Sequence, residues 1–117
     1  MAFRPRKRFG QHWLNHEPTL QAIVAAADIQ SGAPQSGSQG DRLLEIGPGM
    51  GVLTKQLLAT GNPVVAVELD RDLCLKLRKK LGQRENFLLL EGDVLKLDLN
   101  ALLQDFSQFS PLNKVVA

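Results

Sequence analysis

The stretch Leu43-Leu44-Glu45-Ile46-Gly47-Pro48-Gly49-Met50-Gly51-Val52-Leu53-Thr54 decides how the rest of the chain is placed. Leu43 to Ile46 is a short apolar run of the kind a buried strand presents. The Gly-Pro-Gly-Met-Gly that follows removes side chains where the backbone turns tightly and a ligand can come close. Val52, Leu53, Leu57 and Leu58 then recur at helical spacing. A strand, a glycine-dense turn and a helix start, in that order, form the first half of a βαβ unit of the type that holds nucleotide-like cofactors. A glycine-rich turn alone names no ligand, so the acidic residues around it must narrow the choice.

With 117 residues, 44% of them apolar and 22% charged, the chain has the composition of one ordinary globular domain or a piece of one. No apolar run reaches membrane-spanning length, and the N-terminus carries charge without the apolar stretch of a signal peptide. A cytoplasmic location without membrane contact is therefore the expectation. The single Cys74 allows no internal disulfide and gives no metal-ligand spacing, so it reads as a reduced core residue. His12 and His16 also lack spaced partners, and no metal site is expected.

The net charge of +2 is unevenly spread. Residues 1 to 10 hold Arg4, Arg6, Lys7 and Arg8 and no acid, whereas the rest of the chain has ten bases against twelve acids. A basic arm on a mildly acidic body suits a polyanion such as RNA. Phe3, Phe9 and Trp13 are interleaved with the bases and could stack on nucleobases. Two plainer readings stand beside this one: a solvated terminus, or an arm docked on the domain through Phe9, Trp13 and Leu14.

Past the arm, Pro18 suits a first helical turn, and Leu20, Ile23, Val24 and Ala27 make one amphipathic face. Gln30 to Gly40 reads as a surface loop by composition. The helix after the glycine turn should stop near Thr60-Gly61-Asn62-Pro63. Val64-Val65-Ala66-Val67 is a strand buried on both faces, ending in Glu68-Leu69-Asp70. A helix follows with Leu73, Leu77 and Leu81 inward, Asp70 as its N-cap and its lysines toward solvent. Phe87-Leu88-Leu89-Leu90 is a third strand, ending in Glu91-Gly92-Asp93. Leu99, Leu102, Leu103 and Phe106 predict a short helix after Asp98, and Lys114-Val115-Val116-Ala117 a fourth strand. The alternation implies an α/β fold, a three-layer αβα sandwich around a mostly parallel, Rossmann-like sheet.

Right-handed crossovers bring the strand C-termini to one edge, where Glu45, Glu68 and Asp93 collect without an intervening Lys or Arg. A dinucleotide pyrophosphate would be repelled there, whereas S-adenosylmethionine offers a sulfonium, an ammonium and a ribose diol to acceptor groups. Gly47, Gly49 and Gly51 also follow G-x-G-x-G instead of the dinucleotide G-x-G-x-x-G. Glu68 suits a ribose contact with either cofactor.

Arg8-Phe9-Gly10-Gln11-His12-Trp13-Leu14, Glu45-Ile46-Gly47-Pro48-Gly49-Met50-Gly51, Val67-Glu68-Leu69-Asp70-Arg71-Asp72 and Gly92-Asp93-Val94-Leu95-Lys96 resemble, in order and spacing, the ribosomal RNA adenine dimethyltransferases. The resemblance implies a class I methyltransferase fold and S-adenosylmethionine-dependent dimethylation of adjacent adenines in small-subunit ribosomal RNA, during ribosome biogenesis. The partner it implies is that RNA or a pre-ribosomal particle; no oligomer is implied. It places His12 and Leu14 at the methionine end of the cofactor, Gly47 on it through the backbone, Glu68 on the ribose hydroxyls and Asp93 at the adenine amine. Glu45, Gly49 and Gly51 support the site, and Arg4, Arg6, Lys7 and Arg8 contact RNA. His12 stands where the family often has Asn, and Trp13 where it usually has Phe. The other readings are a non-catalytic RNA-binding or transcription-factor relative, a large-subunit rRNA adenine methylase, and a nicotinamide dehydrogenase fragment.

In these terms residues 1–16 are the basic arm and 17–117 the N-terminal part of the cofactor-binding domain. The family's Asn-Leu-Pro-Tyr type motif, which holds the target amine, is expected after Ala117, with the remaining strands and a small helical RNA-binding domain. No catalytic residue is thus expected within 1–117, and the chain by itself is expected not to methylate RNA and to aggregate through an open sheet edge. Sequencing the gene past the Ala117 codon checks this: Asn-Leu-Pro-Tyr or a close variant should follow, and an immediate stop codon would favour the non-catalytic reading.

Overall fold

Four short apolar runs pair side by side into one parallel sheet, and their order sets the position of the glycine turn. The computed structural model describes residues 16–33 and 38–117. In chain order the elements are α1 (Glu17–Ala27), β1 (Ser31–Ala33), β2 (Ser38–Gly40), β3 (Leu43–Ile46), α2 (Val52–Leu58), β4 (Val64–Glu68), α3 (Arg71–Leu81), β5 (Phe87–Glu91), α4 (Leu99–Leu102) and β6 (Lys114–Val116). The main sheet runs β5-β4-β3-β6, with every pairing parallel. From β3 the chain steps outward to β4 and β5, then returns to the other side of β3. That reversal is the topological switch point at which open α/β sheets bind ligands. The glycine turn leaves β3 at this point.

Strand alternation divides the core in two. Leu43, Val64, Ala66, Phe87 and Leu89 face α1, α2 and α3, packing on Leu20, Leu57, Leu77 and Leu81. Leu44, Val65 and Val67 face the opposite layer, where Leu103 and Phe109 cover them. The four apolar residues of β4, Val64 to Val67, are buried, as an unbroken run predicts for a strand covered on both sides, and Glu68 at its end is buried with them. The three layers are present, although the second helical layer is thin among the described residues: α4 and the 3-10 turn Ser107–Phe109. Among the described residues no helix is long and apolar enough to cross a membrane.

Two sequence expectations change. Gln30 to Gly40 is not wholly a loop, because β1 and β2 pair antiparallel through Ser31 with Gly40 and Ala33 with Ser38. Three-residue strands of Ser, Gly, Ala and Gln carry no apolar alternation, so composition hides them. Glycine is required where this pair closes: a Cβ on Gly40 would lie 2.4 Å from the Gly32 nitrogen. The helix after Asp98 is also shorter than expected. It ends at Leu102, the Phe106 N–H then bonds the Leu103 carbonyl at 2.9 Å, and the chain turns so that Phe109 rather than Phe106 is buried (3% against 45% exposed).

A polar knot closes the N-terminal end of the sheet. Asp41 is buried just before β3. Its Oδ2 accepts from the Gln30 N–H at 2.7 Å and Lys114 Nζ at 3.0 Å, and its Oδ1 from Asn113 Nδ2 at 2.8 Å. Lys114 Nζ also donates to the Ala27 carbonyl at 2.7 Å and to that of Asp28, capping the end of α1. Asn62 Nδ2 bridges the carbonyls of Gln30 and Asp41 at 2.8 and 2.9 Å. One carboxylate thus ties α1, β1, β3 and β6 together. The Gln30 N–H, followed by Lys114 and Asn113, lowers the Asp41 pKa from 3.8 against the opposing effect of burial.

Replacing Asp41 by Ala should destabilise the chain by about 2 kcal/mol or more, since several donors lose their acceptor. A depressed carboxyl pKa contributes stability that is full above the unfolded value and is lost as pH falls through the folded one. Urea titrations of both proteins should therefore converge at acidic pH, below the ordinary value of 3.8, and differ most near neutrality.

Candidate functional site

The glycine turn continues the sheet for one residue and then breaks away. The Gly47 N–H bonds the Val67 carbonyl at 2.9 Å, and the Gly51 N–H closes back on the Pro48 carbonyl at 2.9 Å. Gly47, Gly49 and Gly51 have φ of 70, 60 and 82°. Gly51 is required on a second ground: a Cβ there would lie 2.7 Å from Leu77 Cδ2 and 3.3 Å from Leu81 Cδ1. The turn is therefore seated on the buried side of α3.

Glu68, at the end of β4, holds the turn from the side. It is 7% exposed; Oε1 accepts the Gly49 N–H at 3.1 Å and Oε2 the Asp70 N–H at 3.0 Å. Asp70 is the N-cap of α3, its Oδ1 accepting from the N–H groups of Asp72 and Leu73 at 2.9 and 3.1 Å. That agrees with its reading as a cap. Asp93 follows β5, half-buried. Its Oδ1 accepts from the Leu95 N–H at 2.9 Å, and its carbonyl receives the Lys96 and Leu97 N–H groups.

Glu68, Gly47 and Asp93 meet at one cleft of about 190 Å³, walled by Ile46, Val67, Leu69 and Val94. Among the described residues no Lys or Arg lines it. Such a space accepts a flat, weakly polar ring between aliphatic walls while two carboxylates take hydroxyl or amine protons at its rim. Leu69 is 70% exposed beside the cleft. The sequence reading assigned no role to Ile46, Leu69 or Val94. An apolar residue between two acids at a strand end is the signal that points to Leu69.

The third carboxylate goes elsewhere. Glu45 is one residue inside β3, and strand alternation turns it toward α2. It is 2% exposed and accepts the Thr54 hydroxyl at 2.5 Å. Burial, with a further push from the Glu68 charge and against the Thr54 hydrogen bond, raises its carboxyl from 4.5 to about 7. Glu45 thus lies beneath the turn, not on the rim with Glu68 and Asp93. Gly49 and Gly51 shape the turn without lining the cleft, whereas Gly47 does both. Arg4, Arg6, Lys7, Arg8, His12 and Leu14 lie outside the described residues. Cys74 is buried and reduced under β4, its Sγ 3.5 Å from the Glu68 carbonyl.

The family model for ribosomal RNA adenine dimethylase matches residues 2–116. The chain belongs to that family. It is 97% identical, over all 117 residues, to a ribosomal RNA small subunit methyltransferase A from Synechocystis sp., of which it covers 41%. Over 114 residues it is 54% identical to the protein of that name from Crocosphaera subtropica, covering 39% of it. The chain therefore spans about two-fifths of the length of these curated relatives. Among solved structures, the 23S rRNA methyltransferase ErmE aligns with a TM-score of 0.58 and 28% identity, over 70% of this chain and 30% of that one. The glycopeptide N-methyltransferase MtfA in complex with S-adenosyl-L-homocysteine aligns at 0.54 and 26%, over 69% and 32%. A dimethyladenosine transferase from Plasmodium falciparum, at 0.57 and 24% identity over 83% and 38%, shares the fold. This family member thus has the class I methyltransferase α/β architecture that its alternating strands and helices predict.

Two predictions come from these carboxylates. Glu68→Gln should behave as a disruptive change despite its equal size, because an amide donor must then face either the Gly49 or the Asp70 N–H. A loss of roughly 1–3 kcal/mol in urea unfolding is expected, close to that of Glu68→Ala. Glu45 gives a pH slope of the opposite sense to Asp41. Its folded pKa is raised, so the folded chain keeps a proton that the unfolded chain releases, and stability falls as pH rises from 4.5 to about 7. The size is on the order of 3 kcal/mol. Glu45→Gln still accepts the Thr54 hydroxyl and should abolish that slope, which denaturation at about pH 5 and about pH 8 will show.

Proposed function

We propose that this chain is the cofactor-binding part of an S-adenosylmethionine-dependent enzyme that dimethylates the exocyclic amines of adjacent adenines in small-subunit ribosomal RNA. The observation that supports the reading is the cleft at the C-terminal ends of β3, β4 and β5, where Glu68 and Asp93 flank aliphatic walls with no cation among the described lining residues. A nucleoside with a cationic tail fits this donor-seeking rim, whose described residues include no base; a pyrophosphate does not. Family membership and the small-subunit names of the relatives support the substrate class.

In this reading Glu68 takes the ribose hydroxyls through lone pairs left over from its two backbone bonds, Asp93 takes the adenine amine, and Leu69 and Val94 exclude water from the ring. Gly47 contributes backbone close to the ligand. The methyl donor supplies an electrophilic methyl; the chain's own residues bind and orient. Positioning of this kind contributes roughly 7–11 kcal/mol in well-oriented reactions. His12 and Leu14 are proposed at the methionine end, and Arg4, Arg6, Lys7 and Arg8 on RNA phosphates, each phosphate contact adding salt dependence. The RNA partner is naked small-subunit RNA or a pre-ribosomal particle, and the compartment is the cytoplasm.

Methyl transfer from S-adenosylmethionine to small-subunit and large-subunit RNA by the full-length protein containing this chain tests the proposal. Small-subunit adenines should be dimethylated, and Asp93→Ala should raise the cofactor Kd by about tenfold, as loss of a hydrogen bond to a charged group predicts. Transfer to large-subunit RNA alone, binding of NAD in its place, or RNA binding without cofactor affinity would overturn it.

A further inference from the structure

The glycine turn is gripped by two carboxylates, and only one of them reaches the cleft. Glu68 holds Gly49 from the side of β4. Glu45 lies at the entry of the turn, and its partner Thr54 lies in the first turn of α2, at its exit. Their 2.5 Å bond therefore spans the whole Gly47–Gly51 segment from beneath. Neither side chain lines the cleft.

The surroundings make this pair unusual. Thr54 is fully buried on the α2 face that also carries Leu53, Leu57 and Leu58. A valine would fill the same space, and a buried hydroxyl is costly unless it is hydrogen-bonded. Glu45 is likewise buried between an apolar strand and that helix, in a position where an aliphatic residue would pack without desolvating a carboxyl. Each polar group satisfies the other, which accounts for their coexistence but not for their presence in an apolar layer. What the pair adds that two aliphatic side chains would not is direction: one hydrogen bond fixes the separation and rotation of α2 relative to the end of β3. The path of the glycines between those points has few alternatives once both ends are set.

We infer that Glu45 and Thr54 are a positioning pair that holds the glycine turn in its ligand-accepting shape before a ligand arrives, without touching the ligand. The inference rests on the cofactor reading above only for what the turn receives. A turn that is preformed loses no affinity to unproductive conformers, whereas apparent affinity falls in proportion to the accepting fraction when other shapes are populated. Removing the hydroxyl should thus raise the open fraction of the turn, which exchange reads directly, and weaken binding only by the accompanying fall in the accepting fraction.

Amide hydrogen exchange and S-adenosylmethionine binding by the full-length protein containing this chain test the inference together. Thr54→Val should speed exchange at Gly49 and Gly51 by about tenfold relative to Val65 in the sheet centre, and weaken cofactor binding by at most that factor. Thr54→Ser should restore both. The double variant Glu45→Ala with Thr54→Val should bind no more weakly than Glu45→Ala alone. Thr54→Ala makes the same test if valine prevents folding. Wild-type exchange at the turn in a folded Thr54→Val or Thr54→Ala protein overturns the inference, as do losses that multiply in the double variant, which would put Glu45 on the ligand itself. A fall in melting temperature with unchanged exchange and affinity would show a merely structural pair. If the full-length wild-type protein binds no S-adenosylmethionine, the cofactor reading fails while the exchange data still decide on the brace.

Discussion

Glu68 connects two loops that the chain makes separately. One oxygen holds the turn that leaves β3 and the other the turn that leaves β4, so neither can shift without disturbing the other. The connection continues through Asp70, which caps α3, and through α3 back to Gly51, which rests on Leu77 and Leu81. Carboxylate, cap, helix and glycine form a closed circuit at the C-terminal end of the sheet. The cleft is the space that this circuit leaves toward Asp93. A carboxylate suits its centre because it offers four lone-pair directions, enough for two backbone donors with capacity remaining.

Glu45, Glu68 and Asp93 show how depth, more than residue type, assigns a role. All three are carboxylates near the ends of adjacent parallel strands. Glu45 is one residue short of its strand end and is swallowed by the core, where it stays protonated to near neutrality. Glu68 is the last residue of its strand, buried but turned to backbone donors at the edge of the cleft. Asp93 lies two residues past its strand and reaches the rim. A displacement of one or two residues along a strand separates a carboxyl buried in the core from one at the cleft rim.

The parts of this architecture that could be read from sequence are those in which one residue type repeats with a period. The run at 64–67 is long enough to require burial on both faces, the run at 87–90 reads as a strand, and the Leu73, Leu77, Leu81 spacing reads as a helix. Gly-Pro-Gly-Met-Gly is equally plain because few other structures need glycine at alternate positions. The polar knot around Asp41 was not legible: its members, Gln30, Asn62, Asn113 and Lys114, are scattered along the chain and meet only after the sheet has formed. The β1–β2 pair was hidden by a composition that reads as loop. For Glu45 the missing knowledge was which face of β3 receives α2, and that is a property of topology rather than of the local pattern.

The seating of Gly51 on Leu77 and Leu81 gives the turn a hidden dependence on residues that no ligand meets. The two leucines look like ordinary core positions, interchangeable with other aliphatic side chains of similar volume. In evolutionary terms they are a second route of variation: lineages that keep every cleft residue can still drift apart in ligand grip by exchanging one aliphatic for another under the glycines. Comparing relatives by their contact residues alone would miss that divergence, whereas the shape of the α3 face beneath the turn would record it.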